Sequence, residues 1–319
     1  MSYFYGQNTW DPMSESESLC FERYLCEIVS QHYEMKLSYL NKKFGYSPTA
    51  DIALPIKKFI KIKSSQMKAF SIIRMNDGEG SVLFNSKNSS LNEYIIKRIS
   101  KIIYGDPNTI FNDKDEYYNL LIDAIVDADI IGAPESSFIE RRLVNEKKEN
   151  VDVRAVCGTI NQIDILYDLA INGRISEEHK ITSVWLSKYL LAHYAEIFSY
   201  FDDIVVITGN EGLANKIQRN LFSGNIREIL IPTQRAKITE ANVEPHWPNR
   251  YVEVLSELEG LPSYSLVVVA AGILGKVYCN HAKKHGHGAI DIGHVADIWT
   301  GKISRPGVEE EFIKKWSLA

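Results

Sequence analysis

Ile204-Val205-Val206-Ile207-Thr208-Gly209-Asn210-Glu211-Gly212 is the stretch on which the reading of the fold turns. Four consecutive β-branched apolar residues suit a strand covered on both faces, and the glycine-bearing turn after them leads into a helical pattern. The same order recurs at Leu266–Ala271, which runs into Gly272-Ile273-Leu274-Gly275. Outward from these two segments, short β-rich runs alternate with longer helical patterns from residue 69 onward. Strands are expected at 69–74, 129–133, 152–157, 204–208, 226–231, 265–271 and 288–292, with helices in the gaps. Such alternation specifies an α/β fold: a mostly parallel, Rossmann-like sheet with helices on both faces.

An N-terminal helical extension precedes the sheet. Residues 1–17 read as a polar, acidic arm, and 18–45 carry Leu19, Tyr24, Leu25, Ile28, Val29, Met35, Leu37 and Leu40 at helical spacing. Ser47 and Pro48 break the pattern before a second helical stretch at 52–66. Its Lys57, Lys58, Lys61 and Lys63 read as a solvated basic face, with an anionic acceptor as the sharper alternative. The division is an arm and helical extension at 1–67, a catalytic sheet domain at 68–300 and a tail helix at 301–319.

With 36 Lys plus Arg against 41 Asp plus Glu, the formal charge is −5, which argues against nucleic acid as the main partner. The N-terminus lacks the basic and apolar regions of a secretory signal, and no apolar run approaches the ~20 residues of a membrane span. A cytoplasmic protein is expected. The four cysteines, Cys20, Cys26, Cys157 and Cys279, form no CxxC and read as reduced thiols.

Three segments carry the candidate chemistry. Arg74-Met75-Asn76-Asp77-Gly78-Glu79-Gly80 follows the first strand, where ligands of such folds gather. On an extended backbone Asp77 and Glu79 point the same way, and two convergent carboxylates suit Mg²⁺ or Mn²⁺ completed by phosphate oxygens; an ordinary Asn-Asp-Gly turn is the bland alternative. The turns at Gly209–Gly212 and Gly272–Gly275 are candidates to present backbone N–H groups to phosphate, drawing in Thr208, Gly209, Asn210, Gly272 and Gly275. Gly288-Ala289-Ile290-Asp291-Ile292-Gly293-His294 places an acid and an imidazole at a further strand end, with His294 a phosphate or metal ligand and Asp291 a base or an orienting group. His281, His285 and His287 invite a zinc assignment, but no glutamate accompanies them in a HExxH pattern, and they read as basic residues near a helix C-terminus. Trp247 and Trp299 read as packing residues rather than sugar platforms.

Taken in order, these segments resemble the GT-D-type glycosyltransferases, a family first defined as a domain of unknown function and known for a DxE motif. The resemblance runs from the Arg74-x-x-Asp77-Gly78-Glu79 loop through 204–217 and Ile229–Pro232 to Ala289–His294, covering roughly residues 68–298. It implies a UDP-sugar donor and a divalent metal at Asp77 and Glu79, with Arg74, Asn76 and Gly78 of the same loop among the donor-binding residues; Gly209, Gly272 and His294 are placed near the nucleotide by their position on the sheet edge. Asn76 departs from the glycine the family often has there. The acceptor implied is a glycan or lipid-linked oligosaccharide of bacterial surface polysaccharide or glycoprotein synthesis, reached in the cytoplasm or at the inner membrane face. Asp291, Asp297 and Glu211 are the unranked general-base candidates. The alternatives are a non-catalytic nucleotide-sugar-binding module and another Rossmann-like transferase, methyl- or pyruvyltransferase.

Overall fold

The structure is a computed structural model that describes residues 16, 18–24, 33–45, 52–135, 153–233, 245–261, 263–303 and 309–319. Apart from Ser16, the expected arm at 1–17 lies outside these residues, and so does Cys26. Seven strands form one sheet: β1 (Phe70–Arg74), β2 (Ile130–Ala133), β3 (Lys180–Ser183), β4 (Asp203–Thr208), β5 (Asn225–Leu230), β6 (Ser265–Ala270) and β7 (Gly288–Asp291). Their order is β3-β2-β1-β7-β6-β4-β5, and every pairing is parallel.

Strand alternation explains the two covered faces. Ile204, Val206, Leu266, Val268 and Ile290 belong to one buried cluster, while Val205, Ile207, Val267, Val269 and Ala289 belong to the other. Each strand thus sends alternate side chains into separate cores, and only apolar residues in unbroken runs satisfy both. The preceding helices share these cores: Leu37 and Leu40 of Tyr33–Phe44 join the second cluster, and Ile56 and Ile60 of Ala53–Ser65 the first. Lys57 and Lys63 of the basic face pair with Glu196 and Asp129. In the tail, the helix Glu310–Trp316 buries Ile313. Among the described residues no helix is long and apolar enough to cross a membrane.

One expected strand is overturned. Residues 153–157 are not a strand: they belong to a 19-residue helix, Val153–Ile171. A short apolar run cannot by itself distinguish a buried strand from a helix buried on most sides, and here Ile160, Ile163 and Leu166 continue the burial at helical spacing. The missing strand is β3, Lys180-Ile181-Thr182-Ser183, too short and polar to announce itself.

Candidate active site

The sheet order makes β1, β7 and β6 neighbours, with Ile72 opposite Ile290 and Val269 opposite Asp291. The segments beyond their carboxyl ends therefore meet at one place. There the acidic loop differs from the expected extended run. Asn76 is extended, but Asp77–Val82 is a short helix, and Glu79 Oε2 turns back to accept the Asn76 N–H at 2.7 Å. This is one half of a capping box, which satisfies a helix-end donor with an acid three residues on. Gly80 sets the loop on its neighbour: a Cβ there would lie 1.8 Å from the carbonyl oxygen of Gly158, and one at Gly158 would lie 2.2 Å from that of Asp77. The two helices meet backbone to backbone, so both positions need glycine.

A dry ionic network joins the three strand ends. Lys276 Nζ lies 2.5 Å from Glu79 Oε1 and 2.9 Å from Asp291 Oδ2, and donates to the Gly272 carbonyl at 3.0 Å. Arg74 Nη2 is 3.4 Å from Asp291 Oδ1, and its Nε donates to the Asp291 carbonyl at 3.2 Å. None of these four side chains is more than 4% exposed. Two cations balance two anions, which makes burial tolerable. Burial alone would raise the Asp291 carboxyl, but Arg74 and Lys276 outweigh it and hold it below the usual carboxylate range. Burial likewise opposes the charge on Lys276, yet Asp291 and Glu79 hold its ammonium above the ordinary lysine value. Asp291 is thus built to hold Arg74 and Lys276 in place more than to accept a proton. Gly293, at φ +47°, gives Arg74 its room: a Cβ would sit 1.6 Å from Arg74 Nη2.

Asp77 is more open, at 22% side-chain exposure, and pairs with Arg154 Nη2 at 2.6 Å. The fit of a divalent ion can be judged from these partners. Both oxygens of Glu79 are engaged and buried, and Asp77 Oδ2 holds Arg154, so as arranged the pair does not fit a shared ion. One would enter only if Lys276 and Arg154 let go.

The first of the two glycine turns also differs from its expected use. At Gly209–Gly212 the N–H groups of Gly212 and Ala214 donate to Glu228 Oε2 and Oε1 at 3.0 and 2.8 Å. A carboxylate from β5 therefore stands where a phosphate was expected. Thr208 is buried and accepts the Asn210 N–H, while the Asn210 amide donates to Asp297 at 2.9 Å and accepts from Lys302 at 2.6 Å. At Gly272–Gly275 a single 3₁₀ turn leads into the helix Gly275–Lys284, and Gly272 takes φ +59°. His294 is half-buried, edge-on to Trp185 at 5.9 Å, and Glu211 is exposed. A half-buried polar rim of Asn76, Asp77, Asn210, His294 and Asp297 lies on the segments that follow β1, β4 and β7, at the same edge of the sheet as the dry network.

Lys276, Arg154 and Trp185 escape the sequence reading. Lys276 had a visible signal, a lysine directly after the glycine that opens a helix. Arg154 had none, because its segment reads as a strand. Trp247 and Trp299 are buried, and burial pushes the Cys279 thiol up, as suits inert packing residues. A cavity of about 410 Å³ lined by Ser199, Phe201, Phe222 and Gly224 lies at the opposite sheet edge, away from this chemistry.

Fold and site define a doubly wound α/β protein with a polar crevice at the carboxyl edge of its sheet. No protein-family description matches the sequence, and no curated protein does. The chain is similar to a solved structure of domain of unknown function 1792, described as having a distinct glycosyltransferase fold, at 16% identity over 74% of this chain and 76% of that one, with a TM-score of 0.43. It is also similar to a DUF1792 glycosyltransferase from Streptococcus sanguinis, at 14% identity over 85% and 92%, with a TM-score of 0.44. Likeness this distant transfers no residue role.

Proposed function

We propose that this chain is a glycosyltransferase that takes a nucleotide-sugar donor, a UDP-sugar, and delivers the sugar to a glycan or lipid-linked acceptor of bacterial surface polysaccharide or glycoprotein synthesis. One observation carries the reading: the Asp77-Gly78-Glu79 loop, the Asp291–His294 turn and the Gly272–Lys276 turn, far apart in sequence, share one crevice tied by Lys276. In the transfer, an acceptor hydroxyl oxygen bonds to the anomeric carbon as the bond from that carbon to the diphosphate breaks, and negative charge leaves with the diphosphate. Preorganised donors must face that charge. The dry network is charge-balanced, so its task is to fix Glu79 and the loop. The rim supplies the contacts: Asp77 and Asn76 on the donor, His294 and Trp185 beside the nucleotide, and Lys302 as an exposed cation held by Asn210. Asp297, on the rim, is better placed than buried Asp291 to receive the acceptor proton.

Manganese or magnesium at Asp77 and Glu79 is part of the same proposal in one form only, with the ion displacing Arg154 and Lys276. Calorimetric titration of UDP into the purified chain, with Mn²⁺ and with EDTA, tests both points, using wild type, Asp77→Ala and Glu79→Gln. Binding lost in the Asp77 variant supports the donor site, and equal binding in EDTA assigns the cation role to the protein's own groups. Absence of UDP binding under every condition overturns the reading. Binding with neither transfer nor hydrolysis of any UDP-sugar favours a non-catalytic module.

A further inference from the structure

A second cluster of ligand-type side chains lies at the far end of Gly275–Lys284, on the opposite edge of the sheet from the crevice. His281 and His285 are four residues apart and share a face of that helix, and their rings lie 4.2 Å apart between centroids. Glu259, the last residue of the helix Tyr251–Glu259, reaches across to them. Its Oε1 is 3.2 Å from His281 Nε2 and 4.0 Å from His285 Nε2, and the three ligand atoms all lie within 4.8 Å of one another. The glutamate missing from the local sequence pattern is supplied in space by a neighbouring helix.

We propose that Glu259, His281 and His285 form a binding site for a divalent transition-metal ion of the zinc class. The ring chemistry is set up for it. His285 Nδ1 bonds the His281 carbonyl at 2.9 Å, which places the proton on Nδ1 and leaves Nε2 as a lone-pair donor. His281 is bonded to the Leu255 backbone, and its Nε2 is a buried nitrogen that faces the Glu259 carboxylate at 3.2 Å. Metal-binding histidines are oriented in this way, one nitrogen on a backbone carbonyl and the other on the ion. Two imidazoles and a carboxylate are a zinc ligand set that leaves a fourth position for water. Ligand atoms around tetrahedral zinc are about 3.4 Å apart, given bonds of about 2.1 Å, so the 3.2 Å contact already suits an ion and the others close by small rotamer changes. The neighbouring cations do not compete, since Lys283 and Lys284 pair with Asp129 and Asp127. His287 is not part of the site: its Nδ1 accepts the Ser265 N–H at 3.3 Å.

Titration of Co²⁺ and Zn²⁺ into untagged, EDTA-treated full-length protein tests this, followed by the visible d–d bands of cobalt and by calorimetry. The expected result is one ion per chain with tetrahedral cobalt bands. Glu259→Gln, His281→Gln and His285→Gln should each weaken binding at least tenfold, whereas Asp77→Ala should leave it intact, which separates this site from the donor crevice. Zn²⁺ should raise the Tm of wild type and not that of the double variant His281→Gln/His285→Gln, whose fold is checked by circular dichroism. No binding by wild type, or binding unchanged in the folded double variant, overturns the proposal.

Discussion

The helix Gly275–Lys284 carries an ionic cluster at each end, and the two are built in opposite ways. At its start Lys276 lies between Glu79 and Asp291, shut away from water with Arg74 closing the group. About 8 to 13 Å further along the axis, at 1.5 Å per residue, His281 and His285 face Glu259 with roughly half of that carboxylate in solvent. The dry cluster is locked because each of its charges needs the others. The wet cluster holds its groups more loosely, since water serves the Glu259 carboxylate and the His285 ring as well as their neighbour does. Position on the sheet decides which is which: the carboxyl edge packs three loops over Lys276, while nothing described covers Glu259.

The sharpest way to break this contrast is Lys276→Met. It leaves two buried carboxylates without their shared cation, and a loss of about 3–5 kcal/mol is expected, read as a lower denaturant midpoint at unchanged slope. Adding Glu79→Gln should recover part of that loss. In wild type the Asp291 contribution is fully present above the unfolded carboxyl value of about 3.9 and disappears as pH falls through its lower folded value.

Midway along the same helix, Tyr278 meets His246, whose Nε2 is 2.6 Å from the phenol oxygen. Burial lowers the His246 value to about 4, with Arg250 adding to it. The unfolded chain therefore takes up a proton that the folded one refuses between about pH 6.5 and 4, and stability falls as pH drops through that window, by about 3 kcal/mol. His246→Gln should flatten that part of a stability-versus-pH curve. Gly293→Ala, which drives a methyl into Arg74 at a left-handed position, should cost about 1–3 kcal/mol in thermal unfolding. At the wet end, His285→Gln without metal should change stability by no more than about 0.5 kcal/mol. A large effect there would dissolve the contrast.

The same difference sets what could be read from sequence. Strands buried on both faces, such as Ile204–Ile207 and Leu266–Val269, declare themselves by composition, and the loops after them are placed by strand order. Six of the seven expected strands are present, and the acidic loop, the Asp291–His294 turn and Gly272 do meet. What stayed hidden depends on partners distant in sequence. Lys276 acquires its meaning only beside Glu79 and Asp291, Glu228 only beside Gly212, and Glu259 only beside His281. Local backbone was partly legible: Asn76 and Glu79 have capping-box spacing, which announces the helix start that an extended reading of the loop misses. The stretch at 152–157 misled because its first six residues are apolar enough for either element, and only the continuation to Ile171 decides.

The contact between Gly80 and Gly158 bears on how this protein can be re-engineered. With backbone against backbone, the acidic loop and the helix Val153–Ile171 form a single piece of architecture that no side-chain repacking can loosen. Anyone transplanting the Asp77-Gly78-Glu79 loop into another scaffold would have to carry that helix with it, Arg154 included, and a recombination breakpoint placed between them would yield two halves that cannot close.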